Sequence, residues 1–559
     1  MSQSAERMEC IRIPESPVGG EDSIVIAVDM GNEFTKVSYW NMEDGCSNTV
    51  CFDEYESIPT ALAYKGEQDI VIGNDAIRTL QSSPKQVITH FRCLLSSQSI
   101  DADAVSEYMQ REVCELMVEK EKESVYWTMI INNETIRCSL SDVFATYLHI
   151  LKEQTETILE KSISTLFMVV PQITPFVSSF FESIATRIAT PIELISSSTA
   201  MCLSYGFFDD DVRKTFLAMD FGWDAVRLQV VRNENNHYRM GARGTIPFLC
   251  GKSLSREMVA TIENQIPEEL RSVVHNNEVF RNKLNLNVIS RLNKNKPILE
   301  LTKQQQRHRV NDRELSLSVS PTCLEHIVRK QLDQFAEALT SFFSANNLTV
   351  ASFDDVLICG GVANCSLVYA FLQKTFTNTY FPDLLTIYNA NNNANETALA
   401  NGAAIQCACW SGVAPKELQK LLFIDLLPHD ICMKTDDGFE TVIPKGSSIP
   451  TRKMVEVEIE EKQRTLMVTL YRRKEDEFVR LGDFDFELNN LDENDPTSVG
   501  VTIIVHENGG ISASCSGSYE PDVNIYNVVF LLITLVVLII AYLFLKIYFR
   551  DTRVRLGGN

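Results

Sequence analysis

Two aspartates, each followed two positions later by a glycine, are the residues of this chain best placed to do chemistry. Asp29 precedes Gly31, Asp220 precedes Gly222, and an apolar stretch leads into each aspartate. The backbone N–H groups of such a turn can face a phosphate, because no side chain blocks the approach, and the carboxylate can hold a hydrated Mg²⁺ beside it. A single turn of this kind is weak evidence, but two in order predict a paired site for a phosphorylated ligand.

Strands are predicted on both sides of each turn. Residues 24–40 contain an apolar strand, a glycine turn and a second strand that alternates between apolar and polar positions, and residues 216–231 repeat this scheme, so each segment predicts a β-hairpin. A third segment, 354–372, predicts a strand, a Gly360-Gly361 turn and a helix. This order indicates a duplicated domain with a cleft between its halves. Two of the intervening stretches have helical periodicity, 141–163 and 323–345.

The pattern changes from about residue 421 onward. Short alternating runs separated by turns replace the helical periodicity, which predicts a compact β-sandwich. The predicted strands are 441–443, 454–459, 465–471, 484–488, 499–505 and 511–515.

Composition excludes several classes of function. The chain of 559 residues has 51 Lys and Arg against 74 Asp and Glu, a formal net charge of −23, which argues against nucleic acid as a ligand. Its 15 cysteines form no C-x-x-C pair, which argues against a zinc ribbon or a disulfide scaffold and fits buried thiols in a reducing compartment.

A membrane helix is predicted near the C-terminus. Over the 18 residues 528–545 the only polar groups are the hydroxyls of Thr534 and Tyr542, and about 20 residues span a bilayer. We therefore predict a transmembrane helix at 528–549, a stalk at 516–527 and a basic tail at 550–559. No apolar signal follows the N-terminus, so we expect a tail anchor with a cytosolic body, at the endoplasmic reticulum or the mitochondrial outer membrane. The basic tail would instead favour a luminal body under the positive-inside rule.

Further segments, together with both hairpins, resemble the 70-kDa heat-shock chaperone family over residues 24–515. The resemblance implies a flexible N-terminus (1–23), a two-lobed actin-like (ribonuclease-H-like, duplicated) α/β ATPase domain (24–412), a linker (413–424) and a β-sandwich peptide-binding-like domain (425–515). The matching segments are 59–64, 71–76, 170–176, 198–206, 395–404, 421–428, 441–451 and 506–515.

The resemblance also implies ligands and partners. ATP or ADP with Mg²⁺ would bind in the cleft, and unfolded polypeptides, a J-domain protein and a nucleotide-exchange factor would be partners. Asp29 and Asp220 match the magnesium-site aspartates. The matching nucleotide contacts are Gly31, Asn32, Arg92, Gly222, Gly251, Gly360, Gly361 and Glu396. The matching peptide contacts are Val457, Leu466 and Val468, although by themselves these three are more typical of a core. The family's helical lid has no counterpart.

Several catalytic positions depart from the family. Phe91 occupies the place of the catalytic lysine and Ser197 that of a glutamate, and loss of one such group typically reduces the rate by roughly 10²–10⁴. Glu33 and Asp224 add negative charge where phosphate would lie, and Trp223 adds bulk. Hydrolysis is therefore expected to be very slow or absent, and nucleotide binding weak or lost.

Two functions remain open from the sequence. The first is a divergent membrane-anchored chaperone with ATP binding retained, which assists protein folding or translocation. The second is a non-enzymatic scaffold or co-chaperone that no longer binds nucleotide. A sugar or acetate kinase shares the ATPase fold but lacks the linker and β-sandwich, and it is disfavoured.

Overall fold

The computed structural model describes residues 23–516 with internal gaps, and the chain divides into two compact units after Leu426. The predicted stalk lies almost wholly outside the described residues, and the predicted membrane helix and basic tail lie entirely outside them. No helix in the described part is both long enough and apolar enough to cross a bilayer. The internal gaps are 67–68, 96–104, 106–107, 109–114, 120–123, 132–133, 207–212, 235, 267, 269–305, 311–312, 318–320, 378, 380, 382–394, 420, 428, 436–437, 460–462, 475–476, 489–497 and 507–509.

The first unit contains two β-sheets built on one plan. The strand Ser23–Met30 lies parallel to one neighbour and forms an antiparallel hairpin with Phe34–Asn41. The strand Lys214–Phe221 likewise lies parallel to one neighbour and forms a hairpin with Val226–Glu234. The repeated plan confirms the predicted duplication. In the first sheet the strands lie in the order Ile192–Ser196, Ser162–Val170, Ser23–Met30, Phe34–Asn41 and Cys46–Thr49. In the second sheet the order is Asp355–Cys359, Lys214–Phe221, Val226–Glu234, His237–Ile246 and Leu422–Leu426.

Each sheet and its helices form one lobe with its own apolar core. In the first lobe the helices Leu140–Leu159 and Pro175–Ile188 share a core with the sheet. In the second lobe three helices do so, Gly251–Glu263, Pro321–Ala345 and Ser366–Thr375.

Two central helices join the lobes. Ser197–Tyr205 and Ala398–Trp410 pack against each other inside a third core that both sheets share. Gly402 is required at their contact, because a side chain there would overlap the backbone of Ala200. This shared core fixes both hairpins around a common cleft.

The first predicted helix is shorter than expected. It begins with a capping box, in which Ser139 and Asp142 exchange hydrogen bonds, and it ends before Glu160, whose φ of 54° is left-handed. Residues 162–163, predicted as helix, instead begin the strand Ser162–Val170. A buried strand is a continuous apolar run, which periodicity alone cannot separate from a helix.

The remaining elements of the first unit are short. The strands are Ile58–Pro59, Ala61–Tyr64, Ile70–Ile72, Val87–Thr89, Glu115–Glu119, Ser124–Ile131, Glu134–Ser139, Gln306–Val310 and Arg313–Leu317. The helices are Gly73–Ser82 and Lys416–Gln419, with 3₁₀ helices at Pro84–Gln86, Phe91–Leu94, Val350–Ser352 and Gly361–Asn364.

The second unit is a β-sandwich, as predicted. One sheet has four strands and the other three, and apolar side chains of both form a single core. In the four-stranded sheet the strands lie in the order Gly438–Ile443, Asp430–Thr435, Thr465–Lys474 and Glu477–Glu487. In the three-stranded sheet the order is Thr451–Glu458, Ser498–Val505 and Ile511–Ser516. A short strand lies at Ser448–Ile449.

Candidate functional site

The cleft between the lobes brings together all of the residues predicted to contact nucleotide. They line one cavity of about 160 Å³, which we call the aspartate cleft. The predicted residues in its lining are Asp29, Gly31, Asn32, Arg92, Asp220, Gly222, Gly251, Gly360, Gly361 and Glu396.

Each aspartate of the cleft faces a cation on the neighbouring strand of its hairpin. Asp29 pairs in register with Lys36, and Lys36 Nζ lies 3.7 Å from Asp29 Oδ2. Asp220 pairs in register with Arg227, and Arg227 Nη1 lies 3.5 Å from Asp220 Oδ2. Both carboxylates predicted to serve magnesium therefore already have a positive partner from the chain.

Arg227 also binds the second carboxylate of its own turn. Its Nη2 donates to both oxygens of Asp224, at 3.0 and 2.8 Å. Burial alone would raise the pKa of Asp224, but Arg227 and then Arg92 outweigh it and hold that pKa below its ordinary value. Burial would likewise lower the pKa of Arg227, but Asp224 and Asp220 outweigh it and raise that pKa. Arg227 thus pairs with both carboxylates of the second hairpin, Asp220 and Asp224.

Asp220 is less well compensated than Asp224. It is 8% exposed, and burial raises its pKa above the ordinary value even though Arg227 acts in the opposite direction. Asp29 and Asp224 add to the increase through like-charge repulsion. The ionised form of Asp220 is thus less favourable in the fold than that of Asp224.

A contact across the cleft joins the turns of the two hairpins. The Trp223 ring of the second turn stacks on His90, with the ring centroids 5.6 Å apart and an angle of 17° between the planes. His90 Nε2 is hydrogen-bonded to Glu33 Oε2 of the first turn at 2.8 Å. Glu33 and Trp223, which the sequence marked as unsuited to phosphate, thus belong to one chain of contacts that we call the clasp.

Carbonyl groups of the second turn take up the N–H groups at the start of a nearby helix. Gly251 N–H donates to the Gly222 carbonyl at 3.2 Å, and Lys252 N–H donates to the Trp223 carbonyl at 2.7 Å. Helix N-terminal N–H groups bind phosphate when they are free to face it. In this helix, two of these N–H groups are hydrogen-bonded to carbonyl groups of the second turn instead.

The glycine turn Gly360-Gly361 also lines the cleft. Gly360 adopts a φ of 93°, lies too close to the Phe221 carbonyl for any side chain, and donates its N–H to the Asn395 carbonyl at 2.8 Å. Glu396 accepts a hydrogen bond from Asn364 Nδ2 at 3.0 Å. This part of the lining is therefore shaped by the chain's own polar contacts.

The two departures predicted to affect catalysis occupy different places. Phe91 is fully buried and packs edge-on against Phe144, with centroids 5.2 Å apart, so its ring belongs to the core of the first lobe. Ser197 lines the cleft. Neither side chain carries a charge with which to orient a phosphate.

The predicted peptide contacts lie in the second unit. Leu466 is 7% exposed and Val468 3%, and both belong to the core of the sandwich, while Val457 is half-buried against it. Their placement suits the core role that their sequence alone already favoured.

Lys36, Arg227 and His90 were missed by reasoning from the sequence. A signal for two of them was available, since Lys36 follows Asp29 and Arg227 follows Asp220 at the same spacing of seven positions. In a tight hairpin that spacing puts the two side chains directly opposite each other. His90 had no such signal, because its partners come from distant parts of the chain.

Comparison with known families accounts for this architecture. A sequence model of the family described as Hsp70 protein matches residues 25–519, which is most of the chain. The match covers the two-lobed α/β unit as well as the β-sandwich. The chain therefore belongs to the Hsp70 family.

Proposed function

We propose that this protein is a membrane-anchored, chaperone-like member of the Hsp70 family that binds polypeptides or partner proteins without turning over ATP. Hsp70 proteins generally bind unfolded substrates and co-chaperones, and they normally bind ATP or ADP with Mg²⁺. The observation that carries the proposal is the cation opposite each aspartate, Lys36 at Asp29 and Arg227 at Asp220.

Magnesium does not fit the aspartates in this arrangement. A divalent cation near Asp220 would lie beside the Arg227 guanidinium, and the repulsion between the two would oppose its binding. If the Arg227 side chain moved away to admit the metal ion, Asp224 would lose both of its hydrogen bonds from Arg227. Within the described residues, no group of three or more His, Cys, Asp and Glu side chains offers a metal site elsewhere.

Polyphosphate without magnesium fits no better. The cavity lining has an excess of carboxylates over cations, which repels an anion. The carboxylates are Asp29, Glu33, Asp220, Asp224 and Glu396, and the cations are Lys36, Arg92 and Arg227. This balance favours the non-enzymatic function over a chaperone driven by ATP.

In this proposal the chain's own side chains take the place of nucleotide between the lobes. The clasp connects the turns of both hairpins across the cleft, and the Arg227 ion pairs hold together the second hairpin. Phe91 and Ser197 supply neither a charged phosphate contact nor a base. The contacts in the cleft then hold the two lobes together, and polypeptide binding does not depend on nucleotide in the cleft.

The membrane anchor is part of the proposal and rests on the sequence of residues 528–549. Removing residues 528–559 should release the protein from membranes into the soluble fraction of a cell lysate. A truncated protein that still sediments with membranes, and resists extraction by salt, would contradict the anchor.

The functional proposal is tested by polypeptide capture with Asp29→Ala. Full-length wild type and variant, purified in detergent, should capture an unfolded polypeptide equally well, and Mg·ATP should release it from neither. Asp75→Ala is the matched control, because Asp75 is an exposed aspartate with a single arginine partner, Arg78. Release of polypeptide from wild type by Mg·ATP, abolished in Asp29→Ala but kept in Asp75→Ala, would overturn the proposal.

A further inference from the structure

The outward face of the four-stranded sheet in the sandwich carries exposed apolar side chains. On the strand Thr465–Lys474, Leu466, Val468 and Leu470 are buried in the core. Met467 lies between the first two, so it points to the opposite face of the sheet, where it is 65% exposed. A single exposed methionine is ordinary, but a cluster of exposed apolar side chains marks an interaction surface.

Three aromatic rings lie further along the same face. Phe439 stacks on Phe478, with the ring centroids 3.9 Å apart and 8° between the planes, and it packs edge-on against Tyr471 with centroids 4.9 Å apart. Tyr471 follows Met467 by four positions on one strand, so both lie on the outward face. Phe439 is still 42% exposed after these contacts. We call Phe439, Met467, Tyr471 and Phe478 the outer patch.

The charges beside the outer patch change sign along the strands. Tyr471 lies opposite Arg480 on the neighbouring strand Glu477–Glu487, and Met467 lies opposite Asp485. A positive charge therefore lies at the tyrosine end of the patch and a negative charge at the methionine end.

This arrangement is complementary to itself. If a second copy is rotated by half a turn about an axis that crosses the strands at Thr469, the two outward faces meet with their strands reversed. Met467 of each copy then lies over the ring of the other copy's Tyr471, and Asp485 lies over the other copy's Arg480. A two-fold axis forms each of these contacts twice, and both kinds of contact, sulfur with an aromatic ring and carboxylate with guanidinium, are favourable.

The middle of the face tolerates this pairing. Thr469 lies opposite Asp483, so the two copies of Asp483 come near each other at the axis. Each of them is already paired with Arg480 of its own chain, and it accepts a hydrogen bond from Thr469 Oγ1 at 2.9 Å. The repulsion between the two carboxylates is thereby reduced.

The size of the face suits a reversible dimer. Four strands about 4.8 Å apart, each with about eight residues at 3.3 Å per residue, give a footprint of roughly 500 Å² per copy. Stable complexes bury about 800 Å² per partner. The expected dissociation constant is therefore in the micromolar range.

We propose that this face is a homodimer interface, in which two copies pair their four-stranded sheets and Met467 of each copy sits on the aromatic rings of the other. The partner is a second copy of this chain, because the apolar and the charged groups match under the half-turn. The inference goes beyond the proposed function, since it requires neither nucleotide nor a bound polypeptide.

Sedimentation velocity of the full-length protein in detergent tests the interface. Wild type should show a reversible equilibrium between monomer and dimer. Met467→Ala should weaken the dimer about tenfold, because it removes the side chain that contacts the partner. Arg329→Glu is the control and should leave the equilibrium unchanged. The Arg329 and Arg480 side chains are both 61% exposed, and each pairs with one acidic neighbour.

An exchange of charges between copies identifies the two-fold arrangement. Asp485→Lys and Arg480→Glu each bring like charges together, so each variant alone should dimerise about tenfold more weakly than wild type. An equal mixture of the two variants should regain affinity toward the wild-type value, because both contacts of the mixed dimer then join opposite charges. Circular dichroism should show every variant folded.

Three results would overturn the proposal. The first is a wild type that stays monomeric up to about 100 μM. The second is a dimer that Met467→Ala does not weaken, which would place the interface on another surface. The third is a mixture of Asp485→Lys and Arg480→Glu that associates no more tightly than either variant alone.

Discussion

At the scale of single residues, a cation opposite each carboxylate determines what the cleft can hold. Lys36 and Arg227 occupy equivalent positions in two hairpins built on one plan. An ion pair inside a protein is expensive to break, because the remaining charge stays buried without a partner. Removing either cation would therefore leave a poorly exposed carboxylate of the cleft without its positive partner.

The pH dependence of stability should reveal the uneven compensation of the two aspartates. Burial raises the pKa of Asp220 in the folded protein above its ordinary value of 3.8. The folded state therefore loses stability as the pH rises from 3.8 through the elevated pKa, because Asp220 then ionises in a buried position. Asp220→Asn has no proton to lose. The free energy of unfolding of wild type relative to this variant should fall as the pH rises, as measured by urea unfolding from about pH 4 to 8.

Asp224 provides a comparison of opposite sign. Its pKa is held below 3.8 by Arg227 and Arg92 against the effect of burial, so its stabilising contribution is complete above that value and is lost as the pH falls through the lowered pKa. Wild type relative to Asp224→Asn should thus be insensitive to pH above about 4. If the free energy of unfolding of wild type relative to Asp220→Asn rises with pH, the assignment of the elevated pKa to Asp220 is contradicted.

At the scale of secondary-structure elements, the sequence predicted the hairpins, the Gly-Gly turn and six strands of the sandwich, but it missed the strand Asp430–Thr435. Apolar alternation and glycine turns are local signals, and 216–231 falls within the observed Lys214–Phe221 and Val226–Glu234 hairpin. Helix ends depend on single residues such as Glu160, whose left-handed backbone no periodicity encodes. The predicted helix 141–163 therefore extended into the following strand, Ser162–Val170.

The contact between the second turn and its neighbouring helix can be tested by a pair of substitutions. A side chain at Gly251 would overlap the Trp223 ring, so Gly251→Ala should destabilise the protein by about 1–3 kcal/mol. In a Trp223→Ala background the space is open, and the same substitution should cost little. Chemical unfolding of the four proteins measures this coupling, and equal effects of Gly251→Ala in both backgrounds would disprove the packing.

The role of the predicted peptide contacts can be tested on one strand. Leu466→Ala should destabilise the sandwich by about 2–5 kcal/mol, because Leu466 is buried in its core. Met467, its neighbour, is 65% exposed, and Met467→Ala should change stability by less than about 0.5 kcal/mol. Unfolding curves measure both, and a Leu466→Ala protein of wild-type stability that loses polypeptide binding would support the peptide-contact role instead.

At the scale of the whole molecule, the sequence predicted which residues meet in the cleft but not how they neutralise each other. The predicted site residues line one cavity because the duplicated fold brings both hairpins together. The clasp depends on His90, which reaches Glu33 and Trp223 from distant parts of the chain. Such cross-lobe contacts have no local pattern, since they arise only when the lobes are packed.

Calorimetric titration of the full-length protein with Mg·ATP tests the central claim most directly. The arrangement of Lys36, Arg227 and the clasp predicts no saturable heat of binding up to several millimolar, while circular dichroism shows the protein folded. Saturable binding at submillimolar Mg·ATP that is lost when EDTA removes the metal would contradict the claim, because magnesium would then have displaced the chain's own cations from the aspartates.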